Sequence, residues 1–207
     1  MSTATPVPAA VGRPRDTEAT ASILDATLRL LAERGYAAMS TADVAQAARA
    51  SKATIYRRWP SKFALVADAI RHGIRTANPV TPRTGDPRED LVLVLQNFIR
   101  ALATTPLGGA IRAVISDAAH EPALSAAMEE VTTAARVHGP MRPLVLEIQA
   151  QGLLPAAADI DLTLDLMLGA AYFQLLVRQV PPEPAQARAV IDRLIPLTSP
   201  QPPGSRP

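Results

Sequence analysis

Ser40, Ser51 and Ser61 each stand immediately before a helical pattern, and together they constrain this chain more than any other feature. The run Ser40, Thr41, Ala42, Asp43 is a capping box. The serine side chain accepts from the N–H three residues on, and the acid there reaches back to the serine N–H. Ser51 precedes a second helical stretch over 52–59. Pro60 ends that stretch, and Ser61 opens the pattern FALVADAIRHGIRTA. Such closely spaced starts demand short helices joined by tight turns.

Two short helices separated by about three residues, the second of them basic, describe a helix-turn-helix. Ala45 is small where the two helices nearly touch, and Val44, Ala48 and Ile55 supply apolar contacts between them. The second helix presents Lys52, Ala53, Thr54, Arg57 and Arg58. Long donors reach phosphates and guanine edges, while small residues permit close approach to a groove. The Tyr56 hydroxyl can donate to a phosphate, and Thr41, with the free N–H groups after Ser40, suits another. A plain solvated basic face is the competing interpretation. Charge asymmetry weighs against it: residues 1–62 carry nine Lys and Arg against five Asp and Glu, whereas residues 63–207 carry twelve against fourteen.

The rest of the chain is helical in pattern. Ile23, Leu24, Thr27, Leu28, Leu30 and Leu31 lie mostly on one helical face, which Gly35 ends. After a Pro/Gly break at 78–87, further helices are predicted near 88–104, 107–119, 121–137, 140–152, 159–179 and 184–195. Strand-length alternation does not recur, so the expected fold class is all-α. The expected organisation is a flexible arm at 1–15, a helix-turn-helix domain at 16–61, a connecting helix at 62–77, a larger helical domain at 78–196 and a disordered Pro-rich tail at 197–207. Aromatic residues make up 3% of the chain, so the core must be built of Leu, Val, Ile and Ala.

Several functions are disfavoured. With no Cys there are neither disulfides nor thiolate metal sites, and an intracellular location is expected. Residues 1–12 lack a basic targeting region. The apolar run at 162–177 is shorter than the roughly 20 residues a span needs and carries Asp165 and Gln174, so a buried helix and no membrane association are expected. His72, His120 and His138 are scattered, which predicts no metal site. Ser116, Asp117 and His120 share one helix without a nucleophile elbow or oxyanion loop, and they are predicted to lie on the solvated surface with no special role. No phosphate-cradling Gly loop is present. Neither a cofactor nor catalysis is expected.

Residues 13–70 resemble the DNA-binding region of the tetracycline-repressor (TetR) family of bacterial regulators. The resemblance is carried by Ile23, Leu24, Asp25, Ala26, by Gly35 and Tyr36, by Ser40 and Thr41, by Asp43 to Ala45, by Ser51 to Tyr56, and by Arg58 to Lys62 with Ala64 and Leu65. It implies a homodimer whose two recognition helices enter successive major grooves of a palindromic operator. It also implies phosphate contacts from Thr41, Lys52, Thr54, Tyr56, Arg58 and Lys62, base reading by Lys52, Ala53 and Arg57, Ser51 as a further DNA-binding residue, and a minor-groove role for Arg13 and Arg15 in the arm. One position departs from the family. Where a glycine is common at the start of the turn, this chain has Arg49. Either Arg49 adopts the positive φ that glycine serves, or the turn has another shape.

The resemblance further implies a ligand domain and a dimer interface beyond residue 78. Phe98, Met128, Met141, Met167, Tyr172 and Phe173 are candidates to line a pocket for a small hydrophobic effector, although ordinary core packing is the more common use of such residues. The last two helices would pair with those of a second copy, with Leu168, Ala171, Leu175, Ile191 and Leu194 at the interface. The expected function is a cytoplasmic repressor released by its effector. An activator, or a regulator without an effector, suits the same residues. An all-helical enzyme, or a scaffold whose basic end binds an acidic protein, would need another use for the basic helix.

Overall fold

Local chemistry sets most helix boundaries in the computed structural model, which describes the backbone of residues 13–196 and the side chains of residues 17–196. The expected tail at 197–207 and most of the expected arm lie outside these residues. Helix α1 (Arg13–Ala38) begins earlier than the predicted arm boundary. Arg13 and Arg15 are therefore helical in backbone and not part of an extended arm. Pro14 between them fits the first turn, where N–H groups have no intrahelical partner to lose. The helix is interrupted at Gly35, whose φ of 78° turns the chain out of the helical path.

Helices α2 (Thr41–Ala47), α3 (Lys52–Arg58) and α4 (Lys62–Ala77) start after Ser40, Ser51 and Ser61, each of which accepts from a backbone N–H in the first turn. In the second domain three of the prolines that punctuate the sequence turn out to be first residues of helices. Pro87 starts α5 (Pro87–Thr104), Pro106 starts α6 (Pro106–Ala118) and Pro122 starts α7 (Pro122–His138). Proline is at home there because its fixed φ is already helical and its missing N–H is not needed. Beyond them lie α8 (Met141–Ala150), α9 (Ile160–Tyr172) and α10 (Gln186–Leu194). The helix predicted over 159–179 is α-helical only to Tyr172, and Phe173–Val177 form a π-helical turn.

One apolar cluster runs through all of this. Ile23, Leu31, Ile55, Leu65 and Ile70 form its N-terminal part, and Leu91, Leu95, Ile99, Leu107 and Leu144 its C-terminal part. Helix α1 packs chiefly on α6 and then on α4. The α1–α6 crossing is close, because a β-carbon at Gly109 would come within 2.8 Å of the Ala32 β-carbon. Helix α10 is held to α5 by charge. Buried Arg88 pairs with Asp192 and donates to the Ile195 carbonyl at 3.0 Å, and Arg188 reaches both carboxylate oxygens of Glu89 at 2.7 Å.

Candidate nucleic-acid interface

The capping box of α2 is complete. Ser40 Oγ accepts the Asp43 N–H at 3.1 Å, and Asp43 Oδ2 accepts the Ser40 N–H at 2.9 Å and its hydroxyl at 2.6 Å. The bonds from Ser40 hold the Asp43 carboxyl below its ordinary value. Because the folded pKa is the lower one, this contribution to stability is present at neutral pH and is lost as pH falls through that lowered value. At the next start, Ser51 Oγ accepts the Thr54 N–H at 3.0 Å and pairs with the Thr54 hydroxyl at 2.9 Å. The hydroxyls of Thr41 and Tyr56 lie 2.9 Å apart and tie the start of α2 to α3. Two predicted phosphate contacts therefore share one spot.

Helix α3 has two unlike faces. Ile55 is fully buried. Trp59, just past the helix end, is buried and donates its indole N–H to Asp68 on α4 at 3.0 Å. On the other side Ser51, Lys52, Ala53, Tyr56 and Arg57 are exposed, while Thr54 and Arg58 are half-buried. Lys62 is placed differently from its expected role. Its ammonium donates to the Tyr36 carbonyl and lies 3.9 Å above the Tyr36 ring, so it joins the start of α4 to the end of α1. Burial lowers its pKa. The side chains of Arg13 and Arg15 lie outside the described ones.

Of the two possibilities at Arg49, the structure shows the positive φ, at 52°. The Ala50 N–H bonds to the Ala45 carbonyl at 2.9 Å and the Arg49 N–H to the Gln46 carbonyl at 3.2 Å. This is a Schellman ending for α2 with Arg49 at its left-handed residue and half-buried Ala50 packing inward. An L side chain is strained there by about 1–2 kcal/mol, partly offset by the roughly 0.5–1 kcal/mol that glycine loses in chain entropy. Arg49→Gly is accordingly expected to raise the melting temperature by a degree or a few. A fall in a thermal melt would show that the arginine side chain itself contributes to the turn.

At Asp117 the structure corrects the sequence. Expected to be merely solvated alongside Ser116 and His120, this carboxylate makes specific bonds. Its Oδ2 accepts the Tyr36 N–H at 2.9 Å and the Ala37 N–H at 3.3 Å. Those N–H groups come directly after Gly35, where the helix is broken. A carboxylate from α6 thus takes up the two N–H groups that follow the break in α1 and joins the two domains. Next to it, the Tyr36 and Phe63 rings stack with centroids 5.7 Å apart. No local signal marks Asp117, because its partners are 80 and 81 residues away.

Several cavities border α7 in the second domain, among them one of 490 Å³ along its outer side at Glu129 and Glu130. A chamber of 240 Å³ is lined by Ile70, Ile74, Ile111, Ile115, Met128 and Tyr172, among others. A second cavity of 270 Å³ shares Tyr172 and adds Met141, Leu164, Leu168, Arg136 and Arg142. A cleft of 460 Å³ lies between α4 and the C-terminal end of α7. Burial pushes the Tyr172 phenol up to about 12, so it stays neutral and can donate. Phe98 sits behind Tyr172, edge-on to its ring at 6.3 Å. Phe173 does not line these cavities. It is 55% exposed, because one helical step of about 100° from Tyr172 turns it outward. Among the described residues, no three His, Asp or Glu gather as a metal site.

The expected interface residues on α9 and α10 also need correction. Ala171, Leu175 and Ile191 are buried within their own protomer, and Leu168 and Leu194 are half-buried. Helix α9 presents Leu164, Met167 and Ala171 to its own domain, and Leu175 continues that side into the π-helical turn. The exposed stripe is instead Leu162, Leu166, Phe173 and Val177, each more than half exposed, with Gly169 and Ala170 between them.

Comparison with known proteins agrees with this architecture. Residues 23–69 match the profile described as bacterial regulatory proteins, tetR family, and residues 81–194 match the tetracyclin repressor-like C-terminal domain. The HTH-type transcriptional regulator Rv1556 of Mycobacterium tuberculosis is 35% identical over 182 residues, covering 88% of this chain and 86% of that protein. The DNA-binding transcriptional repressor TetR of Mycobacteroides abscessus is 36% identical over 100 residues, covering 47% of this chain and 53% of that one. The crystal structure of the TetR family regulator SCO0332 superposes with a TM-score of 0.70 at 28% identity, covering 88% of this chain and all of the other. With a basic helix-turn-helix joined to a helical second domain, and both halves matched, the chain belongs to the TetR family of DNA-binding transcriptional regulators.

Proposed function

We propose that this regulator is a repressor. It binds a palindromic operator as a homodimer and leaves it when a small molecule with an apolar body occupies the second domain. It acts by binding and not by catalysis, in the cytoplasm where its DNA lies. The observation that carries the proposal is the two-faced α3: Ile55 is locked in the core while Lys52, Ala53, Tyr56 and Arg57 face solvent. Lys52, Ala53 and Arg57 are placed to meet base edges. Thr41, Ser51, Thr54, Tyr56 and Arg58 surround them where phosphates would run. A mate for the α9 stripe accounts for the exposed Leu162, Leu166, Phe173 and Val177. By length and composition alone, Ile160–Val177 would also cross a membrane. A second copy fits better, because one side of this helix is already committed to its own core and Asp165 on its flank pairs with Arg136 at 3.4 Å.

Titration of the full-length protein against a palindromic fragment of its own promoter at several salt concentrations tests the DNA-binding part. Steep inverse salt dependence with sequence preference is expected. Equal weak binding to every fragment would refute operator recognition. Lys52→Ala is expected to raise Kd roughly 5- to 150-fold if the lysine reads a base, with little change in melting temperature. An unchanged Kd would remove Lys52 from the interface.

A further inference from the structure

We propose that the effector is an amphipathic anion. Its apolar body fills the chamber behind Ile70 and Ile74, and its carboxylate or phosphate head lies on Arg75 and Arg71 in the neighbouring cleft. The proposal rests on the assignment above of an effector site to this domain. It goes further by naming the chemistry of the ligand and the residues that select it.

Helix α4 is the wall that both spaces share. Ile70 and Ile74 line the 240 Å³ chamber, while Arg71, Ile74, Arg75 and Asn78 line the 460 Å³ cleft. Ile74 borders both, and the proposed ligand passes around its side chain, with the apolar end on one side and the charged end on the other. Together the two spaces fall within the roughly 300–1,000 Å³ of ordinary small-molecule sites. The chamber is further lined by Ile111, Ile115, Met128, Val131 and Leu176 and is partly open to solvent, with Thr132 and the neutral Tyr172 as its polar groups.

Charge decides which end goes where. The cleft is lined by Arg71, Arg75 and His138 and by no carboxylate. Arg75 is exposed and has no ion pair among the described residues. Arg71 has two long pairs, to Asp68 at 3.6 Å and to Glu130 at 3.5 Å. Two guanidinium groups one helical turn apart can grip a carboxylate or phosphate through paired N–H donors. The other charged cavity has no arginine left without an ion pair, as Arg75 is here. Arg136 is matched there by Asp165 and Arg142 by Asp161, at 3.4 and 2.5 Å. An anionic head is therefore best placed on Arg75 of α4, the helix that joins the DNA-binding domain through Lys62 in its first turn and through Asp68, which accepts from Trp59.

The test is calorimetric titration of the full-length protein, without DNA, with straight-chain carboxylates from hexanoate to hexadecanoate below their micelle concentrations. Matching alcohols, matching alkyl phosphates and inorganic phosphate alone form the other arms. At the best chain length the carboxylate or the phosphate ester is expected to bind at least about tenfold more tightly than the alcohol. The arm that wins identifies the head group, and inorganic phosphate alone is expected to bind far more weakly. Arg71→Gln with Arg75→Gln is expected to abolish the preference while leaving the alcohol's Kd unchanged. Arg75→Gln alone, at an exposed position, is expected to reduce the preference if the double variant does not fold. An alcohol that binds as well as the anion, binding at no chain length, or a preference that survives in a folded variant would each overturn the proposal. Operator release is measured separately. A charge-selective ligand that leaves the operator complex intact would refute the effector assignment and keep the anion site. Release by the alcohol as readily as by the anion would do the reverse.

Discussion

Phe173→Glu, made together with Leu166→Glu, is expected to yield a folded monomer that has lost its operator. Both side chains are more than half exposed, so neither substitution disturbs the protomer's core, and exposed changes of this kind typically alter stability by only about 0.5 kcal/mol. The dimer is another matter. A mate covering Leu162, Leu166, Phe173 and Val177 would enclose the new carboxylates in apolar surroundings, where an unpaired ion is penalised by several kcal/mol. Each monomer still carries α3. It forfeits the second half-site, whose effective concentration raises operator affinity by on the order of 10²–10⁴-fold. Light scattering on a sizing column and operator titration measure the two effects. A double variant that remains dimeric and binds tightly would show that the second copy does not sit on the α9 stripe.

Asp117→Ala is expected to loosen the junction between the domains. The Tyr36 and Ala37 N–H groups would lose their acceptor, and a hydrogen bond to a charged group contributes about 1.5–3 kcal/mol to stability. For a protein of this size that is a fall of several degrees in melting temperature. Asp117→Asn keeps an acceptor oxygen without the charge and should lose less. The local signature is faster hydrogen exchange at Tyr36 and Ala37, with the α3 amides unaffected. Because α6 carries Ile111 and Ile115 in the chamber wall as well as Asp117, the Ala variant should also respond less to any ligand of the chamber. Unchanged exchange at both amides would refute this role.

Helix starts and the helix-turn-helix are legible from the residues because caps, breaks and periodicity act over a few positions. Ser40, Ser51 and Ser61 need only the N–H groups three residues on. The bend at Arg49 is different: its two possible shapes come from the resemblance to a family that commonly has glycine there, not from the neighbouring residues. The prolines read as breaks, although Pro87, Pro106 and Pro122 are beginnings. A break and a start share the same residue and differ only in the conformation of the chain beyond it.

The second domain's faces are not legible. Helix α9 is apolar on most of its circumference, so the sequence supplies no phase to separate the side that meets its own core from the side that meets solvent. Ala171 and Leu175 are on that account as eligible for an interface as Leu162 and Phe173, yet only the latter two are open. Asp117 and Lys62 carry no local mark either. One holds backbone groups 80 and 81 residues away, and the other turns from the DNA-facing side to a carbonyl 26 residues back. By itself the sequence determined the helices, their order, the two-helix motif and its basic face, all of which depend on interactions along the chain. Only the tertiary structure decided which face of α9 stays open, which carboxylate takes up the N–H groups after the break in α1 and which arginines overlook the cavity, because those depend on distant segments meeting in space.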